Sequence, residues 1–404
     1  MVDVRELAAA APRGSFALQP RGPYSLAESI RFLEGFEPAA YSAGPAEAGQ
    51  TLDAVFALEG SWLTVGISVE QVGTEVRGRI VAARPLKRLE LSAARQQVER
   101  ILSLDVDATG YAAIGETDPV IGGLQERYPG LRPVGFWSWY EAAAWSIISQ
   151  RIRTGQAAAL KARLADELGV GVLINGTKRS AFPAPAVLAQ LSSFKGLTPQ
   201  KVDWLRSLGE IARRNTIDSA RLRRMPRADA LEFLQTLPGV GPFSAELILL
   251  RGAGDPDAAP LGEKRFAEAV AVAYDLDAPP APDELEVLSE GWAPYRTWVT
   301  VLLRRAAADG SADVDAAPAA ADGAARAAPA GLADAAAGGD ADAAPEEDAS
   351  ATDAENEDED SGTVTTVTEP DVAASPDAFA DAEATAVEAS PPRRRALFGL
   401  RRKA

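Results

Sequence analysis

Chemistry in this chain must come from carboxylates, cations and backbone amides. Its 404 residues include no His and no Cys. That removes the commonest general base, the Ser-His systems, disulfides and the usual zinc ligands. One stretch offers backbone chemistry instead: Leu237-Pro238-Gly239-Val240-Gly241-Pro242-Phe243-Ser244-Ala245-Glu246. The apolar run LEFLQTL leads in and LILLRG leads out, so the spacing predicts two helices joined by a tight Gly-x-Gly turn. Glycine tolerates backbone angles that a side chain resists. The amides around Gly239, Val240, Gly241, Phe243 and Ser244 then open the second helix as an anion site, and phosphate is the usual anion there. Such a hairpin grips a nucleic-acid backbone without reading bases. The same turn can also be a plain connector. The carboxylates next in the chain are Asp255 and Asp257, in the Gly/Pro-rich loop GAGDPDAAPLG, and Glu263 just after it.

Composition bounds the rest. Net charge is −17, but it is uneven. Residues 306–404 hold 22 acidic and 7 basic residues, a net of −15, which leaves −2 for the remainder. The acidic balance belongs to the tail, and a nearly neutral body gives little electrostatic support for nucleic-acid binding by itself. The first residues lack a basic head followed by an apolar core, and no apolar run is long enough to span a bilayer. A soluble, cytoplasmic protein is expected.

The elements that must position these groups are legible as periodicities. Residues 14–20 alternate like a strand, and 25–35 (SLAESIRFLEG) read as a helix capped by Ser25. Residues 52–58, 62–69 and 75–81 alternate with glycines between them, as strands do. A helix follows over 91–104. After Ala108 the strand signals stop. Helices are expected over 119–128, 139–168, 187–191, 199–214, 218–223, 227–237, 263–274 and 292–305. The fold class expected is α+β: a small antiparallel sheet domain over 1–108, then an all-helical domain over 109–305 carrying the hairpin at 237–246. Residues 306–404 have too few large apolar side chains to offset ordering entropy and are expected to be disordered, with a basic end at PPRRRALFGLRRKA.

The hairpin and its loop resemble the helix–hairpin–helix DNA glycosylase superfamily. About 290 residues resemble its 3-methyladenine DNA glycosylase II branch, the branch of alkylation repair. The resemblance rests on four further local matches in the family's order. These are Tyr140-Glu141 through Ser149-Gln150, Phe182-Pro183 with Pro185, Leu197-Thr198-Pro199-Gln200-Lys201, and Trp292-Ala293-Pro294-Tyr295-Arg296. It implies two helical lobes with a cleft between them and double-stranded DNA as the partner. It also implies no membrane association and a monomer in the cytoplasm at the nucleoid. The implied reaction is hydrolysis of an N-glycosidic bond after the damaged, alkylated base is flipped out of the stack. One carboxylate stabilises the cationic sugar, as in glycoside hydrolysis.

Carried over position by position, the family's catalytic Asp lands on Glu263. The added methylene displaces the charge by roughly 1 Å, a shift that can cost about a hundredfold. Glu serves well in other glycosidases, and a Glu in a first helical turn is also favoured by the helix dipole alone. Asp255 and Asp257 are the reserve carboxylates. Superfamily members that also cut the strand carry a Lys where this chain has Phe243, which implies a monofunctional enzyme. The implied base pocket is Phe243, Leu247, Trp298 and Arg304, with Leu247 and Arg304 standing where the family has aromatics. Trp145 and Tyr295 are further candidates to replace them. Gln150 and Arg151 sit where the family contacts DNA and fills the gap left by the base. No cofactor is implied beyond a structural Na+ or K+ held by the backbone carbonyls of Gln235, Leu237 and Val240. The alternative reading is a helix–hairpin–helix DNA-binding protein with weakened or lost catalysis, because the family Asp is Glu263.

Overall fold

In a computed structural model, the protein is described over residues 6–7, 12–45 and 50–316. The expectations for residues 317–404, including the basic end, lie outside the described residues. The strands are β1 (Glu6–Leu7), β2 (Pro12–Leu18), β3 (Ala43–Pro45), β4 (Thr51–Ala57), β5 (Thr64–Val72), β6 (Glu75–Ala82), β7 (Gly171–Ile174) and β8 (Thr177–Ser180). The helices of the first half are α1 (Leu26–Glu34), α2 (Arg88–Ile101), α3 (Ala112–Thr117), α4 (Pro119–Arg127), α5 (Trp139–Ile148), α6 (Thr154–Leu168) and α7 (Pro185–Leu188). Those of the second half are α8 (Pro199–Ala212), α9 (Ser219–Arg224), α10 (Arg227–Gln235), α11 (Pro242–Leu247), α12 (Lys264–Ala273), α13 (Pro282–Glu290) and α14 (Arg296–Ala316).

The fold is α+β, as the sequence implied. Five antiparallel strands run in the order β2-β6-β5-β4-β3, with Ile67 opposite Ile80 and Ala54 opposite Ile67. Their alternation puts Leu52, Phe56, Ile67, Val69, Val76 and Ile80 into one core with α1, α2 and α5. Ser25 caps α1 by accepting the Glu28 amide at 3.3 Å.

Two expectations fail. The region after Ala108 is not all-helical, because β7 and β8 form a hairpin around Asn175-Gly176, both with positive φ (46° and 83°). That Asn-Gly pair is the favoured residue choice for a two-residue hairpin turn. The hairpin docks on the five-stranded sheet. Val172 and Ile174 pack with Val55, and Asn175 Nδ2 donates to both Asp53 carboxylate oxygens at 3.0 Å. A Cβ on Gly66 would meet Ile174 Cδ1 at 2.4 Å and Val81 Cγ2 at 2.6 Å, so glycine gives the hairpin room to approach. Second, the last helix does not stop at 305. α14 continues to Ala316, across the compositional change at Ala306. Ala is the best helix former, and the run AAADGSADVDA keeps enough of it to carry the helix on.

Residues 139–168, expected as one long helical region, are two helices broken at 149–153, where Arg151 takes a left-handed φ of 55°. α5 and α6 are pinned by a sealed ion pair. Lys161 Nζ lies 3.1 Å from Glu141 Oε2, with side chains only 1% and 3% exposed. The Tyr41 hydroxyl donates to Glu141 at 2.8 Å, and Lys161 donates to the Pro38 carbonyl at 2.9 Å. The ammonium also lies over the rings of Tyr41, Phe136 and Phe182, at 5.0, 5.4 and 5.5 Å from their centroids. Burial pushes the Lys161 pKa down, and Glu141 opposes that shift.

A second core is separate from the first. Ile121, Tyr128, Phe266, Val270, Trp292, Trp298 and Leu302 join α4, α12 and α14. One core therefore holds the sheet and the hairpin, and the other joins residues 108–131 to the elements after the loop at 252–262. The groups of interest stand where these two cores face each other.

Candidate active site and nucleic-acid interface

The turn between α10 and α11 closes with the Val240 amide donating to the Leu237 carbonyl at 3.0 Å. Gly239 has φ +81°, and a Cβ there would come within 2.5 Å of the Trp204 ring. Glycine is required at this position by backbone angle and by space. Gly241 differs. Its φ of −90° is open to any residue, and a Cβ there would meet nothing within 4 Å. The space over Gly241 is empty on the protein side, which leaves it free for an incoming backbone. The first bond of α11 is donated by the Ala245 amide to the Gly241 carbonyl at 2.9 Å. Pro242 has no N–H, so the amides of Phe243 and Ser244 precede that first bond, as helix-opening amides do.

The turn is braced from α5. Gln150 Nε2 donates to the Gly239 carbonyl at 2.6 Å. Lys201 Nζ donates to the carbonyls of Ile148 and Gln150 at 2.8 and 2.6 Å. Gln150 was expected to touch DNA; its side-chain amide holds the hairpin, and exposed Arg151 stands beside it. Of the carbonyls expected around a cation, that of Leu237 already accepts one hydrogen bond from within the turn and keeps its second lone pair.

α11 runs into a π-helical turn over Ile248–Gly252, closed by the Ala253 amide on the Ile248 carbonyl at 2.8 Å. π-turns occur often at functional sites. Here the turn aligns Arg251 under an open cleft lined by Phe32, Phe243, Leu247, Glu263 and Arg304. Its empty volume, counted out to open solvent, is about 1030 Å³.

Phe243, Leu247, Glu263 and Arg304, named from the sequence, therefore meet in one cleft. Glu263 precedes α12 as its N-cap residue. Its Oε1 accepts from Arg304 Nη1 at 2.6 Å, and each side chain is 12% exposed. Burial pulls the Arg304 pKa down, against the pull of Glu263. Trp298 does not belong to the cleft. It is 2% exposed in the second core, near Tyr111 and Tyr295 and 5.3 Å from the Arg132 guanidinium. Trp145 is fully buried, and Tyr295 is buried with its hydroxyl on the Asp107 carbonyl at 2.6 Å.

Aromatics that sequence reasoning missed are Phe32 and Phe36, from α1 and the residues after it. They line the cleft from the N-terminal part of the chain, far from the hairpin in sequence. The Arg251 guanidinium lies over both rings, at 5.2 and 5.1 Å. Burial lowers the Arg251 pKa to about 10, with Arg304 adding to the shift and Glu263 opposing it.

The reserve carboxylates are occupied. Asp257 holds Arg296 at 2.7 and 2.9 Å and accepts its amide at 3.3 Å, at the start of α14. Asp255 pairs with Arg227 at 2.9 Å and accepts the Asp257 amide at 3.1 Å. Both tie the loop to helices. Glu246 and Glu263 are the carboxylates that line the cleft, and Glu263 is the more buried of the two.

No family model matches the chain. It is 23% identical over 227 residues to the DNA-3-methyladenine glycosylase of Bacillus subtilis, covering 55% of this chain and 75% of that protein. It is 28% identical over 222 residues to the probable bifunctional transcriptional activator/DNA repair enzyme AlkA of Mycobacterium tuberculosis, covering 52% of this chain and 42% of that protein. The match thus spans less than half of this second relative. Among solved structures, the 3-methyladenine DNA-glycosylase from Archaeoglobus fulgidus superposes with a TM-score of 0.59 at 19% identity. That superposition covers 72% of this chain and 96% of the other, and at such identity it speaks for the fold.

Proposed function

We propose, from the chain's place in the helix–hairpin–helix DNA glycosylase superfamily beside its 3-methyladenine branch, that it hydrolyses the N-glycosidic bond of a damaged base flipped out of double-stranded DNA. The observation that carries this reading is the meeting of Phe243, two residues after the glycine turn, with Glu263 in one open cleft. The amides of Gly241, Phe243 and Ser244 seat a phosphate of the damaged strand, since anions are favoured at a helix start. Gln150 holds that turn in place from behind, and Arg151 stands at its edge to fill the stack or hold a second phosphate. The flipped base lies against Phe243, with Leu247 below it. As the bond to the base breaks, C1′ of the sugar becomes cationic and the Glu263 carboxylate stabilises it. The same carboxylate orients the attacking water.

A strand-cutting step would need an amine to form a Schiff base. Lysine is absent from the residues lining the cleft, which supports a monofunctional glycosylase. The carbonyls of Gln235, Leu237 and Val240 are neutral oxygen donors that would hold a monovalent cation, which would add positive charge at the turn. The names of the relatives make a methylated purine the first substrate to try. The test is the appearance of abasic sites in damaged duplexes incubated with the purified chain. Base release that disappears in Glu263→Gln supports the reading. A chain that releases no base from any damaged duplex overturns it.

A further inference from the structure

Three arginines line the cleft, and two of them, Arg251 and Arg304, each occupy a feature that would otherwise hold a cationic base. Arg251 lies over the faces of Phe32 and Phe36, so those rings are already engaged with a cation. Arg304 holds Glu263. Around the rim, Arg227 stands between two carboxylates, Glu246 and Asp255, and Arg305 pairs with Asp309. Arg251 has no carboxylate of its own. Its Nη2 donates to the Val134 carbonyl at 2.7 Å, and its Nε is buried without a hydrogen-bond partner. On the floor itself, then, the Arg251 guanidinium forms no ion pair. A purine methylated on a ring nitrogen is itself a cation and meets that guanidinium there.

Resting on the glycosylase reading above, we infer that the cleft selects a neutral lesion base bearing a carbonyl oxygen, of the deaminated or oxidised purine kind, and that Arg304 donates to that oxygen. The two substrate classes leave differently. A methylated cation takes the electron pair of the C1′–N bond and departs neutral, so it needs little help. A neutral base taking the same pair departs as an anion, with charge spread onto its carbonyl oxygen. A guanidinium at that oxygen stabilises the leaving group, as donors in an oxyanion hole do. The sugar left behind is cationic and faces Glu263. The Glu263–Arg304 pair thus matches, charge for charge, the sugar and base as they separate. Arg304 can serve both partners, since a guanidinium has five N–H donors and Glu263 engages Nη1. Water then adds its hydroxyl to C1′, and its remaining proton neutralises the base.

The test compares single-turnover base release by the full chain from duplexes carrying hypoxanthine, 8-oxoguanine or 7-methylguanine. Faster release of hypoxanthine or 8-oxoguanine than of 7-methylguanine, by tenfold or more, is expected. Arg304→Leu should shift the ratio of the two rates at least tenfold toward 7-methylguanine, and Arg304→Lys should restore part of it. A melting curve on each variant shows that it is folded, and a ratio is independent of the amount of folded protein. Preferential release of 7-methylguanine by the unaltered chain, or an Arg304→Leu change that slows both classes equally, overturns this inference and leaves the glycosylase reading standing. Release from none of the three duplexes, nor from any other damaged duplex, overturns both.

Discussion

Two glutamate–cation pairs in this molecule have the same chemistry and opposite surroundings. Glu141 and Lys161 are sealed between α5 and α6, with a hydroxyl, a carbonyl and three rings completing the shell. Glu263 and Arg304 meet at a similar distance, but they line an open cleft. A buried pair recovers its desolvation cost only when further hydrogen bonds complete it. The first pair has them and is fixed. The second keeps donors and access in reserve, so its partners can be shared with something that enters. The difference teaches that the reach of solvent and spare hydrogen-bonding capacity, more than the ion pair itself, separate a structural fixture from a working part.

The contrast can be broken at several points. Lys161→Met leaves a buried carboxylate without its cation, and a loss of about 3–5 kcal/mol is expected in denaturant unfolding. If that variant unfolds as easily as Glu263→Gln and no more so, the two pairs are not different in kind. Glu263→Gln should lower base release by about 10²–10³-fold, the scale of losing one stabilising group at a developing charge. Its stability should fall by less than that of Lys161→Met, because glutamine keeps a side-chain oxygen that accepts from Arg304.

The glycine turn sharpens the same distinction at smaller magnitude. Gly239→Ala should cost about 1–3 kcal/mol in thermal unfolding, through its positive φ and the Trp204 ring. Gly241→Leu should leave the melting temperature within error yet weaken duplex binding, read by fluorescence anisotropy at several salt concentrations. Equal effects of the two on stability would refute the assignment of one glycine to the fold and the other to the ligand.

The smallest effect belongs to a surface pair, Arg84 with Glu90, which serves as a reference. The hydrogen bonds from Arg84 and then from the Lys87 amide hold the Glu90 carboxyl down at about 2, against an ordinary value of 4.5. A folded-state value below the unfolded one gives stability that is present above 4.5 and lost as pH falls toward 2. Melting temperature should fall more steeply over that window in the unaltered chain than in Glu90→Gln.

What could be read from the sequence follows from how local each signal is. The strands β4, β5 and β6 alternate clearly, and their periodicity survives packing. The hairpin of β7 and β8 was equally legible: Asn175-Gly176 between Val172-Leu173-Ile174 and Thr177 is a turn signal that a scan for helices passes over. In the cleft, Phe243, Leu247, Glu263 and Arg304 could be placed because they hang on one motif and one helix. Trp298 was misplaced by its helix face. Thr297, Thr300, Val301 and Arg304 form the stripe toward the cleft, and Trp298 points with Leu302 into the second core. Phe32 and Phe36 carried no signal at all, since an apolar position on α1 looks the same whether it meets a core or a cleft. The end of α5 falls by Ser149-Gln150, where the resemblance ends a helix, but the left-handed φ of Arg151 carries no signal in an arginine.

The run of α14 beyond residue 305 bears on where the protein can be shortened. The change in composition at Ala306 invites a cut there. Such a cut would take Ala308 out of the cleft wall. It would also remove Asp309, whose carboxylate accepts from the Tyr128 hydroxyl at 2.8 Å and from Arg305 at 3.2 Å. The last turn would fray back toward Arg304, and a tail-less protein trimmed at that point would look inactive for a reason that has nothing to do with its tail. A truncation placed after Ala316 keeps the helix whole.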